Sequence, residues 1–207
     1  MTSPHDGAED RDGGGGRLPL LDPTTLREDQ RELYDSIVEY SVPWAERAGF
    51  RARTDGGRLL GPFNGFLHSP ALAKGHSRAV TAEQRHTTLA AGLREVVILT
   101  VGVAWRSAYE IYAHVAVARS LGIDEAVIAG IRDGATTAAF SPEEGVVHDF
   151  VQSLVVHHAV DDVLYRHAVD LLGRQAVVDM VHLVGLYLAT SALLNAFEVP
   201  APEIPEP

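Results

Sequence analysis

Helix start and stop signals recur at short intervals along this chain and leave almost no sequence free to form a sheet. Ser69-Pro70 sets a capping hydroxyl before a proline at the first helical position and opens a helix to about Ala91. Ser141-Pro142-Glu143-Glu144 repeats the device with two carboxylates in the first turn, opening a helix to about His158. Asp124 opens a short helix that stops at Gly134, and Asp161 or Asp162 opens another that stops at Gly173. Thr24 and Thr25 stand where they would cap a helix from near Leu26. Its apolar face is Leu26, Leu33, Ile37 and Val38, and Pro43 interrupts it near the end. Residues 50–68, with Gly56, Gly57, Gly61, Pro62 and Gly65, read as a loop.

Two segments need arbitration. Glu95 to Trp105 is rich in β-branched residues and has the composition of a buried strand, but no second strand candidate exists to pair with it. An isolated strand is unstable, so the segment is expected to be a buried helix. Val177 to Phe197 is apolar enough to suggest a membrane span. Asp179 and His182 in its first turns and Asn195 near its end leave an uninterrupted apolar stretch too short for a hydrocarbon core of about 30 Å. It is expected to be a core helix or one buried against another subunit. The fold class is therefore all-α: a single compact domain of about seven or eight helices over residues 23–198, matching what one domain of a 207-residue chain can hold.

Both ends read as tails. Residues 1–22 are acidic and glycine-rich, with Gly13 to Gly16 in succession, and are expected to be disordered. Residues 199–207 carry four prolines and are expected to be extended. Residues 1–22 and 197–207 each carry a net charge of −3, leaving −5 of the total −11 on the body. An acidic body with a single lysine, Lys74, lacks the basic surface that nucleic-acid binding requires. The first residues contain no apolar run of the signal-peptide kind, and the expectation is a cytoplasmic protein with neither a nucleic-acid nor a membrane partner.

The chemistry concentrates in the helix from about Ser107 to Gly122. Ser107, Glu110 and His114 are spaced i, i+3, i+7 and share one face. A carboxylate four residues before an imidazole can fix its tautomer, raise its pKa and leave the other ring nitrogen to move a proton. As an ordinary surface pair the same spacing is worth only a few tenths of a kcal/mol. The chain has no cysteine, which removes disulfides, thiolate metal sites and thiol nucleophiles.

Leu93-Arg94-Glu95-Val-Val-Ile-Leu99, followed by Ser107-x-x-Glu110-x-x-x-His114 and Ala118-x-x-x-Gly122-Ile123, resembles the carboxymuconolactone decarboxylase/alkylhydroperoxidase-D-like superfamily. In the peroxidase branch a glutamate is followed twelve residues on by Cys-x-x-Cys-x-x-x-His. Here Glu95 takes the glutamate position, Ser107 and Glu110 the two cysteine positions, and His114 the histidine position. Gly61-Pro-Phe-Asn64-Gly-Phe-Leu-His68-Ser-Pro70 and Gly185-Leu-Tyr187 through Asn195 resemble the family's flanking segments, so the likeness covers about 60–200. A hydroxyl cannot be oxidised and recycled as a thiolate can, so the chain falls in the cysteine-free branch and is not expected to be a thiol peroxidase.

That resemblance implies a cofactor-independent lyase or isomerase working by acid–base chemistry on a small unsaturated carbonyl or lactone compound. The reactions in reach are decarboxylation, double-bond shift and proton-triggered ring chemistry. Glu110, His114 and Glu95 are the catalytic candidates. Ser107, His68, Arg106, Trp105, Tyr187 and Asn195 are the candidates for binding substrate and an enolate oxygen. The resemblance also implies a homo-oligomer, trimer or hexamer. The competing expectation is a non-catalytic helical ligand-binding or assembly protein; enclosure of Glu95, Glu110 and His114 within mutual reach would favour an enzyme. Ten histidines raise a metal site built from His157, His158 and His167, or from His148, Asp149 and Asp161. Adjacent histidines diverge by about 100° on a helix and no HExxH pair is present, so neither a metal nor a cofactor is expected.

Overall fold

The computed structural model describes residues 14–202. It is all-α. Ten helical segments follow one another: α1 (Glu28–Ser36), α2 (Val42–Ala48), α3 (Pro62–His68), α4 (Pro70–His86), α5 (Ala91–Ala104), α6 (Ala108–Ser120), α7 (Glu125–Asp133), α8 (Pro142–His157), α9 (Asp162–Leu172) and α10 (Arg174–Ala196). A π-helical turn, Ile37–Ser41, joins α1 to α2, so the segments make nine rods.

The strongest start signals hold. Asp124 accepts from the Ala126 N–H, Asp161 accepts from Val163 and Leu164, and Ser141 and Glu144 form a reciprocal capping box. Glu95–Trp105 lies in the buried helix α5, and the ambiguous apolar run near the C-terminus is α10.

The differences from the sequence reading have local causes. Pro43 has no N–H to offer the Glu39 carbonyl, and the chain answers with a π-turn rather than an end to the rod; the Val42 N–H reaches back to Ile37. The first helix starts at Glu28, not Leu26, because Asp22 engages Thr24 in a turn of its own. The expected 50–68 loop ends early, since Gly61-Pro62 starts α3 by the same proline-first device as Ser69-Pro70. The helix opened at Pro70 stops at His86 rather than Ala91: the Thr88 N–H and hydroxyl both donate to Asp179 of α10, at 2.8 and 2.9 Å.

The expected N-terminal tail is shorter than 22 residues. Leu20 is buried, the Leu21 N–H donates to Asn64 Oδ1 at 3.1 Å, Asn64 Nδ2 donates to the Pro19 carbonyl, and the Arg17 N–H donates to the Phe197 carbonyl at 2.7 Å. Glycine richness at 13–16 hid an apolar anchor just behind it. Residues 1–13, the rest of that tail, lie outside the described residues, as do 203–207. Val199, expected as the start of the C-terminal tail, is buried and bonds back to the Leu194 carbonyl.

The core has two parts. One gathers the buried faces of α5, α7, α8, α9 and α10 around Val97, Ile98, Ile128, Val147, Met180 and Leu183. The other gathers the N-terminal rod, α3 and α6 around Leu33, Val42, Leu59, Leu67, Tyr109 and Leu194. The helix α10 is long and apolar enough to cross a bilayer by length and composition alone. In this fold it packs on α5, α9, α4 and α3, and its Asp179 serves as a hydrogen-bond acceptor for the α4–α5 link.

Gly61 sits at φ 62°, and a Cβ there would lie 2.2 Å from the Tyr109 ring. Gly61→Ala should therefore lower stability by more than about 2 kcal/mol, from backbone strain and a displaced core aromatic together. Urea unfolding monitored by circular dichroism reads this directly.

Candidate active site

The two helices that carry the motif meet at the turn Trp105-Arg106-Ser107, and both contribute to the site. α5 contributes Glu95 and α6 contributes Glu110 and His114. His114 Nδ1 lies 2.7 Å from Glu95 Oε2, and His114 Nε2 lies 3.4 Å from Glu110 Oε1. The three side chains are 7%, 5% and 4% exposed for His114, Glu95 and Glu110, so the whole relay is removed from bulk water. Gly102 of α5 packs against Glu110: a Cβ there would stand in ordinary contact, 3.4 Å from Glu110 Cγ.

The imidazole is thus held between two carboxylates. Glu95 accepts from Nδ1–H, which fixes the ring and leaves Nε2 to exchange a proton with Glu110. Burial pushes the Glu110 carboxyl up to about 7; the His114 charge pulls it down and the Glu95 charge adds to the rise. Burial works against the imidazolium of His114, but the charge and hydrogen bond of Glu95, with help from Glu110, outweigh it and raise its pKa. Glu110 is therefore poised near neutrality to take or deliver a proton.

Glu110 and His114 open onto a cavity of about 420 Å³. Aromatic rings form much of its wall: Trp44 lies 6.3 Å and Tyr187 5.1 Å from the His114 ring, and Phe50, Phe63 and Phe66 complete the apolar surface. The Tyr187 phenol is raised well above its usual range, by burial first and then by Glu110 and Glu95, and so faces the cavity as a neutral O–H donor. Tyr109 also lines it. Its hydroxyl donates to the Arg51 carbonyl at 2.7 Å, while the Arg51 N–H donates to the Tyr112 hydroxyl at 2.9 Å.

Behind this relay lies a second buried ion pair. Arg94, next to Glu95 in α5, makes a fork to Glu83 of α4 at 2.5 to 3.2 Å, with side-chain exposures of 13% and 6%.

The structure gathers Glu95, Glu110, His114 and Tyr187 and leaves the other substrate-binding candidates outside the cavity. His68 is tied to the Pro19 carbonyl at 3.1 Å, holding the N-terminal segment. Asn195 donates to the Trp105 carbonyl at 2.6 Å, closing the α5–α6 turn from outside, and Trp105 and Arg106 are exposed on that turn, Arg106 at φ 53°. Ser107 is buried, its hydroxyl without a hydrogen-bond partner among the described residues.

Sequence reasoning missed the wall supplied by the N-terminal rod and by α4: Tyr40, Ser41, Trp44, His76, Ser77 and Gln84. The available signal was the Tyr40–Trp44 pair, two aromatics four apart around a proline. None of the His157, His158 and His167 set or the His148, Asp149 and Asp161 set lines this cavity. His148 instead pairs with the Thr136 hydroxyl at 3.0 Å in the α7–α8 link.

The site is thus a buried Glu–His–Glu cluster at the wall of an aromatic cavity, on an all-helical frame in a chain with no cysteine. Residues 70–148 match the sequence profile of the Carboxymuconolactone decarboxylase family, a span that contains Glu95, Glu110 and His114. Solved structures share the fold at low identity. An uncharacterized peroxidase-related protein from Ralstonia eutropha JMP134, an alkylhydroperoxidase AhpD core, superposes with a TM-score of 0.72 at 15% identity, covering 91% of this chain and 93% of that one. The debrominase Bmp8, in complex with 2,3,4-tribromopyrrole, gives 0.65 at 12% over 90% and 93%. An uncharacterized peroxidase-related protein from Silicibacter sp. TM1040 gives 0.67 at 13% over 90% and 92%. No curated protein matches the chain by sequence.

Proposed function

We propose that this chain is a cofactor-independent lyase or isomerase that moves a proton on a small unsaturated carbonyl or lactone compound. The observation that carries the reading is the position of Glu110: it occupies the second cysteine position of the superfamily motif, lines the cavity, and titrates near neutrality beside His114. A residue at that place with that pKa suits general acid–base catalysis at physiological pH, as a thiol there suits redox chemistry.

Glu110 is the group that meets the substrate. With a substrate carbon against its free oxygen, the carboxylate abstracts a proton and the resulting enolate oxygen is stabilised by a neutral donor, the Tyr187 hydroxyl. His114, anchored by Glu95, takes the proton from Glu110 or returns it, so the carboxylate is reset without bulk water. A double-bond shift, ring opening or loss of carbon dioxide differ in where the electrons of the extended enolate go, and share this proton economy. The enclosure of the relay is what favours catalysis over a purely ligand-holding role, since binding alone gives no reason to bury three titratable groups in contact. A small flat ring is within the cavity's volume, and the same fold holds a bromopyrrole in Bmp8.

The test is solvent-deuterium incorporation into a panel of butenolides and cyclic enones, with and without a carboxyl group, followed by proton NMR. Wild-type protein should catalyse exchange or isomerisation of at least one compound, and His114→Ala and Glu110→Gln should each slow it by about 10²–10⁴-fold, the usual contribution of a positioned acid–base group. Equal rates in wild type and both variants would remove the relay from the chemistry.

A further inference from the structure

The charges around the cavity decide what it can hold. Three buried or half-buried cationic or potentially cationic groups lie near it, and two are already matched. Arg94 is spent on Glu83 through the fork, and His114 on Glu95. Glu110 is left over on the negative side. Among the described residues that line the cavity there is no lysine and no arginine. A carboxylate or phosphate placed here would be stripped of water beside a carboxyl group with no free cation to receive it, a cost of several kcal/mol in a low-dielectric site.

The third such group, His76, belongs to a distinct polar end. Tyr187 and Thr190 are three residues apart on α10 and so lie on one face about 5 Å apart along the axis. The first stands by the His114 ring; the second has its hydroxyl 3.4 Å from His76 Nε2. The His76 ring lies tilted against Phe66, with centroids 5.4 Å apart, and burial favours its neutral form by lowering its pKa. Thr190 Oγ1 donates to the Leu186 carbonyl and so accepts from His76, which leaves His76 Nδ1 as an acceptor. Ser77 and Gln84 of the same helix, α4, add uncharged donors and acceptors to this wall. The cavity thus runs one helical turn from an acid–base end to an uncharged hydrogen-bonding end, with aromatic rings between.

We infer that the substrate of this site is an uncharged cyclic carbonyl compound, its ring among Trp44, Phe63 and Phe66 and its polar groups shared between Tyr187 and the His76–Gln84 wall, and that the site rejects the carboxylated counterpart. This rests on the acid–base reading for the role of Glu110, and it narrows that reading to proton shifts on neutral molecules and away from decarboxylation of a bound acid.

Binding separates the two claims. Trp44 lines the cavity and Trp105, the only other tryptophan, is exposed on the far turn, so Trp105→Phe leaves a single reporter of occupancy. Titrating this full-length variant at pH 7.5 with a neutral phenyl-substituted butenolide and with the same compound bearing a carboxylate should show the neutral one binding at least tenfold more tightly. Gln84→Arg, which adds a cation to the polar wall, should reverse or erase that preference by strengthening carboxylate binding. Equal or tighter binding of the carboxylate to the unmodified wall overturns the inference, as does failure of both compounds to quench Trp44 at millimolar concentration. Tight neutral binding without deuterium exchange would instead sink the acid–base reading and leave the selectivity standing.

Discussion

Glu110→Gln should make this protein more stable above neutral pH while it slows the proposed proton transfer. The carboxyl of Glu110 titrates near 7 when buried, against about 4.5 in the unfolded chain, so the folded state binds the extra proton. Stability from this group is therefore present at low pH and is lost as pH rises from about 4.5 through 7. A shift of that size corresponds to roughly 3 kcal/mol. His114 adds to the effect in the same direction: its folded pKa is raised, so its contribution is complete below the unfolded value near 6.5 and fades as pH climbs through the folded one. Glutamine keeps the shape and removes the titration. The expected result is a Tm at pH 8 higher than wild type by on the order of 5–10 °C, with little difference at pH 5. Scanning calorimetry of both proteins at the two pH values checks it; a variant less stable than wild type at pH 8 would mean that Glu110 is not held as a strained acid. The same substitution separates function from stability, because the destabilising burial is what gives the carboxyl its useful pKa.

The second large effect concerns the ion pair behind the site. Replacing Arg94 by leucine should cost about 3–5 kcal/mol, because it strands the Glu83 carboxylate, which is only 6% exposed in its side chain. Replacing Glu83 and Arg94 together by leucine and methionine should cost much less, since no unpaired charge remains. Chemical denaturation of the two single variants and the double variant gives the coupling directly. A loss in the double variant equal to the sum of the singles would show that the pair contributes packing rather than charge compensation. The Arg94 variant should also raise the His114 pKa further, because the guanidinium charge lowers it in the wild type. An NMR titration of the His114 ring reads that shift where the variant remains folded.

The pattern of start and stop residues, read with no structure, was enough to place most of the helices, because a cap is a local device: Ser141, Asp124 and Asp161 each satisfy backbone N–H groups within three residues of themselves. The motif was legible for the same reason. Glu110 and His114 are one turn apart on α6, and their proximity follows from helix geometry alone. What failed was any judgement that needed a distant partner. Leu21 looked like tail because its anchor, Asn64 of α3, is more than forty residues away. His68 and Asn195 looked like ligand-binding groups because their true partners, the Pro19 and Trp105 carbonyls, are backbone atoms that no side-chain pattern announces.

The sequence by itself determined an all-helical chain with a Glu–His pair on one helix face and no thiol to give it redox chemistry. Only the tertiary structure decided that Glu95 closes the pair into a relay, that Trp44 and His76 from other helices build the cavity wall, and that Arg94 and His114 are already matched by Glu83 and Glu95. Those are properties of packing between helices, and packing sets burial. Burial is what turns an ordinary carboxyl into an acid that titrates near 7.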